Sequence, residues 1–168
     1  MPVPDVIETD RLILRPARVD EAPVFHQLWT ERDPRVPAHR QINAEGRPTL
    51  ADIEGHLRAE RENDGLRAVE RKGTADVIGY CGVTDTSADE PELAFELLRA
   101  VHGCGYATEA GQAVVEWARE AGYARLRAGV WDWNVASRRV LAKLGFRETA
   151  RVEPTSVHGH TLLTVREL

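Results

Sequence analysis

The stretch Val101-His102-Gly103-Cys104-Gly105-Tyr106-Ala107-Thr108-Glu109-Ala110 decides how this chain is read. The run ahead of it, Glu92-Leu93-Ala94-Phe95-Glu96-Leu97-Leu98, has the composition of a strand. Behind it, apolar residues recur at Ala110, Ala113, Val114, Trp117, Ala118 and Ala121, the spacing of one helix face. A glycine-rich turn between a strand and a helix suits a phosphate group. Glycine lets the main chain come close, and the first N–H groups of a helix have no partner within it and point at the anion. The same turn also serves as a tight connection that binds nothing, so it carries weight only beside a second motif.

That second motif is Trp131-Asp132-Trp133-Asn134-Val135-Ala136-Ser137-Arg138-Arg139-Val140-Leu141-Ala142-Lys143-Leu144-Gly145-Phe146. The alternating residues 126–130 before it read as a buried strand. Asn134 reads as a helix N-cap, residues 135–144 as the helix, and Gly145 as its stop. Far upstream stands Glu8-Thr9-Asp10-Arg11-Leu12-Ile13-Leu14-Arg15-Pro16, of which residues 9–16 read as a first strand.

In this order the three stretches resemble the Gcn5-related N-acetyltransferase (GNAT) superfamily. The glycine turn resembles its acetyl-CoA pyrophosphate motif, Gln/Arg-x-x-Gly-x-Gly/Ala. Asn134 with Gly145-Phe146 resembles its closing motif, and the opening stretch is similar to the branch of the ribosomal-protein N-terminal acetyltransferases. The resemblance runs from about residue 8 to the C-terminus. It implies an α/β (α+β) fold: a mixed, mostly antiparallel sheet of about seven strands flanked by about four helices. Residues 1–168 would form a single domain. It also implies an acyltransferase that moves acetyl from acetyl-CoA, its co-substrate, to a primary amine on a protein N-terminus or a small molecule.

Cofactor contacts are carried by the resemblance onto Leu97, Leu98, Arg99, His102, Gly103, Cys104, Gly105, Tyr106, Ala107 and Thr108, and onto Asn134, Ser137 and Arg138 of the closing motif. In this family the pantetheine arm lies along the end of the fourth strand like an added strand. The N–H groups of Leu97, Leu98 and Arg99 fall there, and Leu98 is the expected donor to the thioester oxygen. Glu92 and Glu96 share one strand face with Ala94. A carboxylate there takes the ammonium proton directly or through water, with Glu96 first in register and Glu92 and Asp85 next. The ordinary alternative is that both are solvated residues on an exposed face. Many family members carry a proton-donating Tyr seven residues past the capping Asn, but here Leu141 stands in that place. Ser137 is the substitute, although a hydroxyl so placed also satisfies helix amides. The Gln/Arg of the pyrophosphate motif falls at Ala100, so the turn lacks its own bracing guanidinium.

Composition narrows the partners. With 168 residues the chain can bury a full core, and its 29% charged and 42% hydrophobic content is ordinary for a globular protein. No apolar run nears the roughly 18 residues of a membrane span, and no signal-peptide pattern opens the chain. Two cysteines, Cys81 and Cys104, give no disulfide framework, which makes a cytoplasmic setting the default. A net charge of −5 argues against nucleic acid and anionic membranes and suits a cationic amine. An anionic cofactor then depends on local positive potential from Arg99, His102, Arg138, Arg139 and the helix start at Gly105. His26, His39, His56, His158 and His160 have no cysteine or carboxylate at ligand spacing, so no metal is expected. Trp131 reads as core and Trp133 as part of an acceptor groove, with Arg35, His39 and Arg40 added by family analogy. Both monomer and homodimer stay open.

The remaining elements follow from local signals. Asp20 is placed to cap a helix that faces inward through Val24, Phe25, Leu28 and Trp29. Thr49 and Asp52 have capping-box spacing ahead of the stripe Leu50, Ile53 and Leu57. Residues 66–70 and 76–83 read as a hairpin around Lys72-Gly73, where Gly79 and Gly82 mark a bulge or a close neighbour. Residues 147–152 and 161–168 read as a closing hairpin around Pro154 and Gly159. Two rival functions remain. One is a non-catalytic acyl-CoA-binding module on the same fold. The other is a dinucleotide-binding unit, which the Thr at position 108 and the motif's late place in the chain disfavour.

Overall fold

Hydrophobic alternation and turn residues partition the chain, in a computed structural model that describes residues 2–59, 65–152 and 159–168. In chain order the elements are β1 (Ile7–Glu8), β2 (Leu12–Arg15), α1 (Ala22–Glu31), α2 (Leu50–Ala59), β3 (Gly65–Arg71), β4 (Val77–Thr84) and β5 (Glu92–Leu97). They continue with α3 (Tyr106–Glu120), β6 (Arg125–Trp131), α4 (Val135–Lys143), β7 (Arg147–Val152) and β8 (Thr161–Glu167). The strands form one sheet in the order β1-β2-β3-β4-β5-β6-β8-β7. Every neighbouring pair is antiparallel except β5–β6. None of the helices among the described residues is long and apolar enough to cross a membrane.

Two local expectations change and a third holds. The opening strand is split in two, because the Thr9 hydroxyl accepts the Leu12 N–H at 3.0 Å and closes a tight hairpin. This gives the sheet eight strands among the described residues rather than about seven. Asp20 does not cap α1: it lies in a 3-10 turn, Val19–Glu21, and the helix begins at Ala22 with Pro23 fixing φ in its first turn. The Thr49–Asp52 box does form, with the Asp52 N–H 3.1 Å from the Thr49 hydroxyl and the Thr49 N–H 2.8 Å from the Asp52 carboxylate. Pro154 and His158 lie outside the described residues.

α3 closes one face of the sheet. Its Ala110, Val114, Val115 and Trp117 pack on Leu12, Leu14, Val69, Cys81, Val83 and Leu93. Each large apolar side chain so buried contributes about 2 kcal/mol. α1 and α2 cover the other face more sparsely, through Ala22, Leu28 and Ile53. There Arg15 ties the sheet to the start of α1, with Nη1 2.7 Å from Glu21 Oε1 and Nε 2.6 Å from Glu70 Oε2. The β3–β4 register slips at Val69/Glu70, a bulge that adds local twist. Next to it, a Cβ on Gly79 would sit 2.1 Å from the Glu96 carbonyl oxygen, so only glycine permits this approach of β4 to the end of β5.

Candidate active site

β5 and β6 meet only at Glu92↔Arg127, where the Arg127 N–H bonds the Pro91 carbonyl at 3.0 Å. Beyond that point β6 follows β8 along its whole length, from Arg125 to Trp131. The two parallel strands therefore splay towards their C-terminal ends and open a crevice of about 900 Å³. N–H groups along an antiparallel edge alternate in direction. The Leu98 N–H donates to the Ile78 carbonyl at 2.8 Å, on the β4 side. Leu97, one residue earlier, consequently turns its N–H into the crevice. The expected oxyanion donor, Leu98, thus has its amide committed to the sheet, and the neighbouring amide that faces the crevice is that of Leu97. Arg99 is also engaged: its N–H lies 2.7 Å from Glu31 Oε2 and its guanidinium 2.6 Å from the Glu31 carbonyl.

The crevice floor is the start of α3. Gly103 and Gly105 adopt φ of 76° and 82°, a region that favours glycine. α3 begins on Gly105 without a side-chain cap, so the N–H groups of Tyr106, Ala107 and Thr108 have no partner within the helix. His102 Nε2 lies 2.8 Å from the Leu97 carbonyl. A carbonyl only accepts, so Nε2 bears the proton and is spent on the main chain rather than on an anion. Cys104 presents its carbonyl to Arg11 Nη1 at 3.0 Å, and the Arg11 guanidinium lies 4.4 Å above the Tyr106 ring. The brace missing at Ala100 is therefore supplied from the far end of the chain. Sequence reasoning missed it, although Arg11 lay within the opening motif it had singled out.

α4 forms the second wall. Asn134 caps it, its Oδ1 accepting the Ser137 N–H at 3.1 Å, and Ser137 lines the crevice. Arg138 does not line it. Its guanidinium binds Glu148 at 2.7 and 3.1 Å and the Asp132 carbonyl at 2.9 Å, which turns it towards β7. Arg139 lines the crevice instead. Trp131 and Trp133 stack with centroids 6.1 Å apart, and Arg35 lies 4.2 Å over the Trp133 ring, so the residue 33–48 loop meets the β6–α4 turn. Arg35 and Arg40 border the crevice, whereas His39 is exposed on the 3-10 turn Ala38–Arg40.

The two candidate carboxylates are separated by the splay. Glu92 stands at the closed end beside Arg127, 3.9 Å away, and Asp85 pairs with the same guanidinium at 3.0 Å. Glu96 stands at the open end. Arg32 grips it with Nε 3.1 Å from Oε1 and Nη2 3.2 Å from Oε2, and the Tyr80 hydroxyl donates to Oε2 at 3.2 Å. Arg32 is itself fixed by stacking 4.0 Å over the Trp29 ring and by donating to the Arg40 carbonyl at 3.0 Å. Burial, with the Glu96 charge beside it, pushes the Tyr80 hydroxyl well above its usual pKa. It therefore stays protonated at physiological pH and keeps its hydrogen for Glu96.

A splayed parallel pair, a strand amide facing into the gap and an uncapped helix start on a glycine turn together define a transferase that takes its acyl group from a coenzyme A thioester. The chain belongs to the acetyltransferase (GNAT) domain family, whose profile matches residues 11–147. It is 28% identical over 148 residues to the uncharacterized N-acetyltransferase YoaA of Bacillus subtilis, covering 85% of this chain and 83% of that protein. Its fold matches a GNAT-family acetyltransferase from Bacillus anthracis with a TM-score of 0.81 at 20% identity, over 96% and 98% of the two chains. The microcin C7 self-immunity acetyltransferase, solved with acetyl-CoA and AMP, matches with a TM-score of 0.73 at 13% identity over 95% and 94%. The protein is an acetyltransferase, and enzymes of this family use acetyl-CoA.

Proposed function

We propose that the β5–β6 crevice holds acetyl-CoA and that this protein transfers its acetyl group directly to a primary amine, residues 1–168 acting as one domain in the cytoplasm. One observation carries the reading: the Leu97 N–H and the uncapped start of α3 open onto the same crevice. The diphosphate is held by the main chain of Gly103, Cys104 and Gly105 and the amides of Tyr106, Ala107 and Thr108. Arg139 supplies positive charge there and Ser137 a hydroxyl.

Acetyl-CoA, when bound, supplies an acetyl carbonyl activated as a thioester. The rest falls to the chain. Glu96 accepts a proton from the acceptor ammonium, directly or through water, and the freed nitrogen lone pair forms the new C–N bond to the carbonyl carbon. The Leu97 N–H donates to the carbonyl oxygen while negative charge gathers there. As the C–S bond breaks, its electron pair leaves with sulfur, the nitrogen gives up its second proton to water, and water, directly or by way of the Ser137 hydroxyl that it reprotonates, delivers one proton to the thiolate to give free coenzyme A. A thiol pKa near 8.5 makes that last donor helpful rather than compulsory. Glu92, at the closed end of the splay, takes no proton in this scheme.

The grip of Arg32 on Glu96 favours a second reading, a non-catalytic acyl-CoA-binding module whose carboxylate is permanently neutralised. Two measurements separate them. Acetyl-CoA at a hundred times its Kd should add about 2.7 kcal/mol of apparent stability, and NAD should add none. Thiol release with an amine panel should then proceed. Stabilisation without any thiol release supports the module, and no stabilisation by acetyl-CoA overturns both.

A further inference from the structure

α1 and α2 stand over β3 and β4 and leave a second cavity of about 820 Å³, a volume suited to a small molecule. Its wall includes Phe25, Trp29, Ile53, Leu57 and Leu66. Phe25 and Trp29 are one helical turn apart on α1, and neither is fully buried. The sheet core does not close over these rings; Arg32 stacks on one face of Trp29, and the remaining ring surface is left to whatever enters. Arg32 and Tyr80 line this cavity and the cofactor crevice alike. The Arg32–Glu96–Tyr80 cluster is therefore the partition between the two.

Most of the charge in the wall is already paired; Asp5, which also lines the cavity, is solvent-exposed. Asp52 holds Arg47 at 2.8 Å while it closes the box with Thr49. Arg67 donates to the carbonyls of Pro4, Leu66 and Val3 at 3.2, 3.0 and 3.3 Å. Glu96 lines the crevice side of the partition, where Arg32 holds it while stacking on Trp29 and donating to the Arg40 carbonyl.

We infer that this cavity receives the acceptor, and that the acceptor is a primary amine on a compact apolar or aromatic body. Its ammonium reaches the Glu96–Tyr80 end and its body lies against Phe25, Trp29 and Leu57. The inference rests on the acetyl-transfer reading above. A polyamine needs carboxylates spaced along its length; of the two that line the cavity, Asp52 already holds Arg47 and Asp5 is solvent-exposed, where an ion pair contributes little. An extended peptide carries an N–H and a C=O at every residue, and those laid against Phe25, Trp29, Ile53, Leu57 and Leu66 are left without bonds at a cost. A single ammonium on an arylalkyl body asks for one carboxylate and a ring-lined cavity. The transfer balances as R–NH3+ plus acetyl-CoA giving R–NH–CO–CH3, free coenzyme A and one proton.

The test measures thiol release from acetyl-CoA with 2-phenylethylamine, spermidine and a short peptide with a free N-terminus. The expected kcat/KM for 2-phenylethylamine exceeds both others by about a hundredfold. Leu57→Glu should lower that value about tenfold and raise the one for spermidine, with KM for acetyl-CoA staying within about twofold. Phe25→Ala, which adds no charge, should raise KM for 2-phenylethylamine about tenfold. The inference is overturned if spermidine or the peptide leads the panel. It is also overturned if both variants keep the parent's preference, or if acetyl-CoA stabilises the protein while 2-phenylethylamine is not turned over. Absence of acetyl-CoA stabilisation instead removes the reading beneath it.

Discussion

Arg11 and Glu109, 98 residues apart, are joined twice: Arg11 Nε lies 2.6 Å from Oε2 and the Arg11 backbone N–H 2.9 Å from Oε1. Thr9 adds its hydroxyl to Oε1 at 2.6 Å, so the β1–β2 hairpin is pinned to the first turn of α3. A carboxylate in that turn also suits the positive end of the helix dipole. Arg11 is solvent-accessible, and its effect on overall stability is accordingly small. What it holds is the shape of the 103–105 turn.

Arg11→Ala should therefore raise KM for acetyl-CoA about five- to tenfold while kcat stays within about twofold. Arg11→Lys should restore little, because an ammonium cannot bond Glu109 and the Cys104 carbonyl as a fork. An unchanged KM, or an equal fall in kcat, removes Arg11 as a positioning residue for the turn.

The glycine turn, the Asn134 cap and the Gly145 stop were legible because each needs a particular residue type at one local position. The Thr49–Asp52 box was legible for the same reason. The Arg11 brace was not, since nothing local to Arg11 or Ala100 links the two ends of the chain. The direction of the Leu98 amide was not legible, because it depends on the β4–β5 pairing, in which Gly79 stands opposite Leu97. Arg138 and Arg139 are adjacent and chemically alike, and only the position of Glu148 on β7 decides which one turns away. The Arg32 grip on Glu96 joins α1 to β5, and a sequence reading of β5 alone gave no sign of it.

Glu96→Gln keeps the side-chain shape but turns one of the two oxygens that accept from Arg32 and Tyr80 into a donor, and it removes the proton acceptor. The acetylation rate should fall about a hundredfold with acetyl-CoA affinity unchanged. Glu92→Gln should change the rate less than about threefold, because Glu92 stands at the closed end of the splay. Equal losses in the two variants would assign the proton to a shared water rather than to Glu96.

The Leu97 amide can be deleted without touching a side chain. An ester in place of the Glu96–Leu97 peptide bond, made by semisynthesis, removes one N–H that faces the crevice and leaves the Leu98 bond to Ile78 intact. The rate should drop about a hundredfold, the worth of one oxyanion donor. The same ester at position 98 should instead lower stability and leave the chemical step alone. A reversed pattern would return the donor role to Leu98.

Arg15 is the stability counterpart to these functional tests. Its side chain is 11% exposed, and it answers Glu21 and Glu70, which are 11% and 17% exposed. Arg15→Met fills the volume but leaves two carboxylates facing one another with no cation. The loss should be about 2–3 kcal/mol in denaturant midpoint analysis, the lower side of the range for breaking a buried pair. Adding Glu21→Gln and Glu70→Gln should recover much of it, and failure to do so assigns the loss to packing.

Arg71 and Asp76 flank the β3–β4 turn, with Nε 2.8 Å from Oδ1 and Nη2 2.5 Å from Oδ2. The guanidinium lowers the Asp76 carboxyl to about 2. In the unfolded chain the group titrates at about 3.9. Between these values the unfolded state binds more protons than the folded one, so stability rises with pH. The contribution is complete above about pH 5 and is lost as the pH falls towards 2. Asp76→Asn should consequently lower Tm by a constant amount from about pH 5 to 7, and the gap to the parent should close as the pH approaches 2. Thermal melts across that range decide it: a gap that stays constant down to pH 2 assigns the effect of Asp76 to the turn's geometry and not to its charge.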